Sequence, residues 1–324
     1  MRPQHLLPLL PLATAWSPPS YPGLALIWAD SFPGSSGSLP NEGNWNILDG
    51  NLGVNNELQT YRRSSRTVQT SGGTTLQLVP WRDGSVSGGW ISGRVESKYT
   101  FTPAAGRRTV AEAVVRFGGN GVDTKQGIWP AFWMLGDSIR RGTPWPTCGE
   151  LDVLETVNGV LTGYGTMHCN SMGAFFCFLR LHSPALPPFL SLEYPFQPSS
   201  LSCLTLAHNQ HPPSFLFPQN KANTTSPASP GGICNEPNGR GSSIGIPNQD
   251  WQRWRIVWDR TPGDWRAETI TWFMNDAQFH QISGAQIGDA GVWSSVAASP
   301  LFFILNVAVG GNWVRPPSCA CLGG

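Results

Sequence analysis

Three carboxylates share one short run, Glu150-Leu151-Asp152-Val153-Leu154-Glu155, in an otherwise apolar neighbourhood. Burying three acids costs several kcal/mol unless protonation, pairing or chemistry offsets it. Two carboxyl groups flanking a bound sugar can cleave a glycosidic bond. A pair about 5 to 5.5 Å apart suits the retaining reaction, in which one attacks the sugar and the other protonates the leaving oxygen, whereas an inverting pair stands wider, at roughly 6.5 to 9.5 Å, to admit a water. The close spacing of the run predicts retention, with Glu150 as nucleophile and Glu155 as acid. Asp152, between them, is expected to act as a like charge that pushes the neighbouring pKa values apart. A solvated acidic edge strand is the competing reading of the same pattern.

To act together the acids must share a face. Leu151, Val153 and Leu154 interleave them, which reads as a strand, and strand side chains alternate with period two. Regular alternation would put Glu150 and Asp152 on one face and turn Glu155 away. One extra residue in a β-bulge restores the parity, and bulges are common beside active sites.

The rest of the chain reads as short strands. The runs Thr74 to Val79 and Val110 to Phe117 alternate apolar and polar residues between Gly/Ser/Pro turns, and no segment carries a convincing helical stripe. In Gly127 to Leu135, Trp129, Ala131 and Trp133 fall on one face of a strand. An indole stacks on the C–H face of a sugar, so Trp133 and Trp145, just upstream of the acids, are candidate sugar platforms, while Trp129 reads as core or mixed. Further on come W-x-x-W-x-I-x-W from Trp251 to Trp258, a hairpin turn at Asn275-Asp276, and a buried strand from Leu301 to Val309 that ends in Gly310-Gly311-Asn312-Trp313.

At 324 residues the chain suffices for one large β-sandwich or two modest domains. Charged residues make up only 13%, while Gly (37), Pro (29) and Trp (15) are abundant, as many tight turns and an aromatic-lined cleft would require. A net charge of +1 gives no electrostatic case for nucleic acid or an anionic membrane, and a neutral polysaccharide fits better. No run is long and apolar enough to span a bilayer. No C-x-x-C or His/Cys spacing argues for zinc, and the chemistry calls for no cofactor.

Several stretches together carry a family resemblance. Gly149 to Asn158, GELDVLETVN, resembles the signature of glycoside hydrolase family 16 in its bulged form, that of the endo-β-1,3-glucanases (laminarinases), and the chain is similar to the secreted fungal branch. The other matching stretches are Trp28 to Trp45, NNELQTY at Asn55 to Tyr61, SGRVESK at Ser92 to Lys98, GIWPAFWML at Gly127 to Leu135, GTMHC at Gly165 to Cys169, GGICNEPNGRGSSI at Gly231 to Ile244, and LFFILNVAVGGNW at Leu301 to Trp313.

The resemblance implies an antiparallel β-sandwich, a jelly roll of the concanavalin A-like type, spanning residues 26–313. It implies a monomeric secreted hydrolase of β-1,3-glucan or mixed β-1,3/1,4-glucan. A cell-wall transglycosylase and a non-catalytic carbohydrate-binding protein are the alternatives. His168 in GTMHC is expected to hydrogen-bond a catalytic carboxylate or a sugar hydroxyl, against the structural role usual for a lone histidine. Arg94 in SGRVESK either donates to sugar hydroxyls or forms a structural ion pair, and Trp313 is expected to close one end of the cleft. Among the seven cysteines, Cys169 with Cys234 is the first pair expected, because each sits in a family-like stretch.

Three segments depart from that pattern. Residues 1–15 read as a signal peptide, with Arg2, an apolar run from Leu6 to Leu12, and an Ala13-Thr14-Ala15 cleavage site. Asn170 to Pro230 intervenes where close relatives have a few residues; its Leu, Phe, Ser and Pro bias suggests a translated, unspliced intron, with a genuine lid or accessory loop as the rival, and transcript reads that skip it would support the intron. After Trp313 the chain continues as a short tail, 314–324, in place of the usual final strand, which would leave unpaired backbone groups and low solubility.

Overall fold

The computed structural model describes residues 17–170 and 232–314. The expected leader, the insert beyond Asn170 and the tail beyond Val314 lie outside the described residues.

Short apolar-polar alternations punctuated by turns form sixteen strands among the described residues. The first six are β1 (Trp45–Ile47), β2 (Gln59–Tyr61), β3 (Val68–Thr70), β4 (Leu76–Leu78), β5 (Trp81–Arg82) and β6 (Trp90–Ser92). Longer strands follow: β7 (Arg94–Phe101), β8 (Arg108–Val115), β9 (Ile128–Gly136), β10 (Glu150–Glu155) and β11 (Thr162–His168). The last are β12 (Arg240–Gly245), β13 (Gln252–Asp259), β14 (Thr269–Met274), β15 (Ala277–Ser283) and β16 (Leu301–Val309). A seven-stranded antiparallel sheet runs β1-β7-β16-β9-β10-β11-β12, and a four-stranded one runs β15-β14-β13-β8. Two small sheets flank them, one holding the parallel pair β2 and β6. The architecture is the expected antiparallel jelly roll.

The core lies between the two large sheets. Strand β13 alternates so that Trp254, Ile256 and Trp258 are fully buried, and β14 adds Ile270 and Trp272. They meet Phe132 and Met134 of β9, Leu151, Val153 and Leu154 of β10, and Met167 of β11. Gly165 on β11 makes room for this packing: a Cβ there would stand 2.6 Å from the Trp272 ring. The Trp272 indole N–H donates to the Asp152 carbonyl at 2.8 Å, so the buried ring ties the second sheet to the acidic strand.

Asn275 and Asp276 join β14 to β15 with φ of 47° and 70°, the left-handed pair that a two-residue hairpin turn needs. Two short helices were not anticipated. They are α1 (Gly284–Ile287), opened by a capping box between Ser283 and Gln286, and α2 (Ala290–Ala297), capped by Asp289 and burying Trp293, Val296 and Ala297.

Candidate active site

The bulge follows from the sequence of β10. Val153 and Leu154 are adjacent, yet both are buried, and a regular strand would have to turn one of them outward. The chain inserts a residue instead: Asp152 pairs with Trp133 and Leu154 with Phe132, leaving Val153 without an opposite number on β9. Glu155 then pairs with Ala131, so the three acids oppose Leu135, Trp133 and Ala131, alternate residues of one strand face. On the other side they oppose His168, Thr166 and Tyr164 of β11, again alternate residues. All three acids therefore emerge on the open face of the seven-stranded sheet, away from the core.

Indole N–H groups hold the two glutamates from both sides. Trp145 donates to Glu150 Oε2 at 3.2 Å, and Trp129 donates to Glu155 Oε1 at 2.9 Å. Trp129 therefore touches the expected acid directly, a role its sequence context did not single out. Trp133 donates to Asn306 Oδ1 at 2.7 Å, and Trp313 meets the Trp129 and Tyr164 rings edge-on at 5.3 and 5.1 Å. Trp129, Trp133 and Trp145 are partly buried, and Trp313 is 37% exposed.

Arg94 takes the ion-pair alternative: its Nε and Nη2 both bind Glu96 Oε1, at 3.0 and 2.7 Å, and its guanidinium lies over the Trp133 ring. It is only 8% exposed. Two oppositely charged residues on one strand face at i and i+2 were close enough in sequence to show this pairing.

His168 faces the acids, with Nε2 at 3.5 Å from Asp152 Oδ2 and 3.9 Å from Glu150 Oε1. Its Nδ1 lies 2.7 Å from Glu236 Oε2, a residue that sequence reasoning missed although it stands in the quoted CNEP stretch. Cys169 and Cys234 form a disulfide, as the family resemblance implied, and Cys148 is a buried free thiol.

Electrostatics separate the acids. Burial, then the Glu150 charge, raises Glu155 to about 7, with the Trp129 hydrogen bond opposing. Burial also raises Glu150, but His168 counteracts it. Asp152 is raised well above its ordinary value, by burial and then by Glu155 and Glu150. Its Oδ2 is buried without a hydrogen-bond partner. The Glu150 charge raises Glu155, and the Glu155 and Glu150 charges raise Asp152 in turn. The donor atoms of Glu150, Asp152 and His168 lie within 4.8 Å of one another, close enough to hold a cation as well.

Residues 91–177 match a family model described as the XgeA-like catalytic domain of glycoside hydrolase family 16. The chain is 24% identical to a beta-glucanase of Rhodothermus marinus over 90% of its own length and 78% of that protein. It is also 24% identical to the clotting factor G alpha subunit of Tachypleus tridentatus, over 90% of this chain but only 31% of that larger protein. The solved endo-1,3-β-glucanase of Streptomyces sioyaensis superposes with a TM-score of 0.69 at 28% identity, covering 92% of this chain and 89% of that one. Glycoside hydrolases, endo-β-1,3-glucanases among them, are its homologues.

Proposed function

Starting from this homology to family 16 glycoside hydrolases, we propose that the chain is a retaining endo-hydrolase of β-1,3-glucan or mixed β-1,3/1,4-glucan. The observation that carries the reading is the bulge in β10, which brings Glu155 to the face that already holds Glu150 and Asp152. Without it the acid and the nucleophile would stand on opposite sides of the sheet.

In the first step a Glu150 oxygen attacks the anomeric carbon as the glycosidic bond breaks, and Glu155 gives its proton to the departing oxygen. Trp145 steadies the attacking carboxylate and Trp129 the acid. In the second step Glu155, now an anion, takes a proton from water as the water oxygen displaces Glu150 from the sugar. A value of about 7 lets Glu155 exchange a proton near neutrality in both directions. Asp152 stands between them as their modulating partner. Trp133 and Trp313 present ring surface on which a sugar could stack.

The disulfide Cys169–Cys234 and the signal-like leader support secretion, and we assign the protein to the extracellular space or cell wall as a monomer. The test is incubation with laminarin, lichenan and agarose, following the anomeric configuration of newly released ends by proton NMR. We expect β-configured ends from the β-glucans first, with slow mutarotation afterwards. Release of the α-anomer, or cleavage of agarose alone, would overturn the reading.

A further inference from the structure

His168 is held more firmly than its contact with the acids requires. Both oxygens of Glu236 are engaged behind it: Oε2 lies 2.7 Å from His168 Nδ1, and Oε1 accepts the Cys169 backbone N–H at 2.8 Å. The Glu236 side chain is fully buried. Two residues before it, Cys234 is bonded to Cys169, the residue next to His168. Three residues after it, Gly239 has φ +70° and lies so close to the imidazole that a Cβ would stand 2.8 Å from His168 Cε1. The segment from Cys234 to Gly239 therefore grips one ring edge, and the opposite nitrogen, Nε2, is left facing Asp152 Oδ2 and Glu150 Oε1.

We infer that Glu236 is a positioning residue for the reaction, holding His168 in the tautomer that carries its proton on Nδ1 and presenting Nε2 to the Asp152 and Glu150 carboxyls. The inference rests on the hydrolase reading above. A buried carboxylate can only accept from the ring, so Nδ1 keeps its proton and Nε2 alone titrates. When Nε2 is protonated, the imidazolium lies against the nucleophile; when it is not, Nε2 can accept from a neutral Asp152.

The groups that face this ring are Glu150 and Asp152 of β10, Glu236, the more distant Glu155, and the Trp145 indole at 5.5 Å. Arg240 turns its guanidinium elsewhere, to the Ile233 and Gln286 carbonyls. Burial opposes the imidazolium, but the hydrogen bond to Glu236 and the nearby carboxylates outweigh it, and the ring titrates above its ordinary value. The imidazolium in turn lowers Glu150 and Glu155. Glu236 raises Glu150 directly, by less than His168 lowers it.

The first measurement uses the unaltered protein: nitrogen-15 shifts of His168 across a pH series. Nδ1 should stay protonated on both sides of the titration, and a neutral ring carrying its proton on Nε2 would overturn the assignment whether or not the protein cleaves glucan. The second is Glu236→Gln. Its His168 should titrate about one unit lower, the usual size of effect for loss of an adjacent opposite charge. The alkaline limb of the kcat profile should then move to higher pH, because around neutrality Glu155 loses the imidazolium, while KM stays within about twofold. Glu236→Asp should restore part of the shift. A folded Glu236→Gln variant that loses activity with an unmoved alkaline limb and an unmoved His168 titration would show Glu236 to be a strut only. Failure of the wild type on every glucan would instead sink the hydrolase reading and leave the nitrogen measurement to decide the tautomer.

Discussion

Two acidic clusters lie on opposite outer surfaces of the sandwich, and they differ in what neutralises them. On the exposed face of the four-stranded sheet, Glu112 sits among Arg253 and Arg255, with nitrogens at 3.7 and 3.8 Å, and bonds the Tyr21 hydroxyl. Asp276 closes that network onto the same two arginines. On the open face of the seven-stranded sheet, the only basic group within 4 Å of Glu150 or Asp152 among the described residues is His168. Both clusters are partly desolvated. One is balanced by permanent cations and the other by a cation that can be switched off, which keeps its carboxyls close to neutrality and able to trade protons.

Glu150→Ala should lower kcat on laminarin at least about a thousandfold with the melting temperature unchanged, since no other group can take the glycosyl bond. An active Glu150→Ala variant would place the chemistry elsewhere.

Glu155→Gln should cost about a hundredfold or more in kcat for substrates with poor leaving groups. In the wild type, activity should fall as pH rises through about 7, where Glu155 gives up its proton. The same group makes the fold sensitive to pH. Its folded value lies above that of a free carboxyl, about 4.3. Between the two values the native state holds the extra proton, so stability declines as pH rises from the lower to the higher. Glu155→Gln should flatten that decline in thermal melts, becoming more stable than wild type at pH 8.

Replacing Cys169 and Cys234 by serine should destabilise the fold by about 2–4 kcal/mol in urea titrations. If Glu236 depends on the bridge for its place, the variant should also share the pH shift of Glu236→Gln.

Trp129→Phe should act on the limb and hardly on the fold. Losing the indole N–H removes a group that lowers Glu155, so the alkaline limb should move up in pH, with kcat changed by only a few-fold. On the opposite surface Glu112→Gln should leave kcat and both limbs unchanged. A shift there would mean that the two clusters are electrically linked.

Much of this was legible in the sequence, and the reasons are local. The order Leu151, Asp152, Val153, Leu154, Glu155 cannot segregate acids from apolar residues without a bulge, and the bulge is where it had to be. The alternation of Trp254, Ile256 and Trp258 and the turn at Asn275-Asp276 follow from the same short-range rules. What escaped was non-local or partial. Glu236 reaches His168 from 68 residues away, and no spacing rule connects them. Trp129 reads as core or mixed from its place in the strand, which does not show that its one polar atom faces the acid. The helix α2 is too short to show a stripe, although Asp289 at its start and the Ser283/Gln286 box before α1 were readable signals.

The Cys169–Cys234 bridge has one further consequence. Its two α-carbons stand 5.5 Å apart at the end of the β11 and β12 pair, although 65 positions separate them in the chain. The bridge fixes both borders of the intervening stretch, so its length is decoupled from the sheet on either side. An excision that rejoined the two borders, or an addition that lengthened the excursion, could pass through evolution or splicing without moving a single ladder bond around the acids.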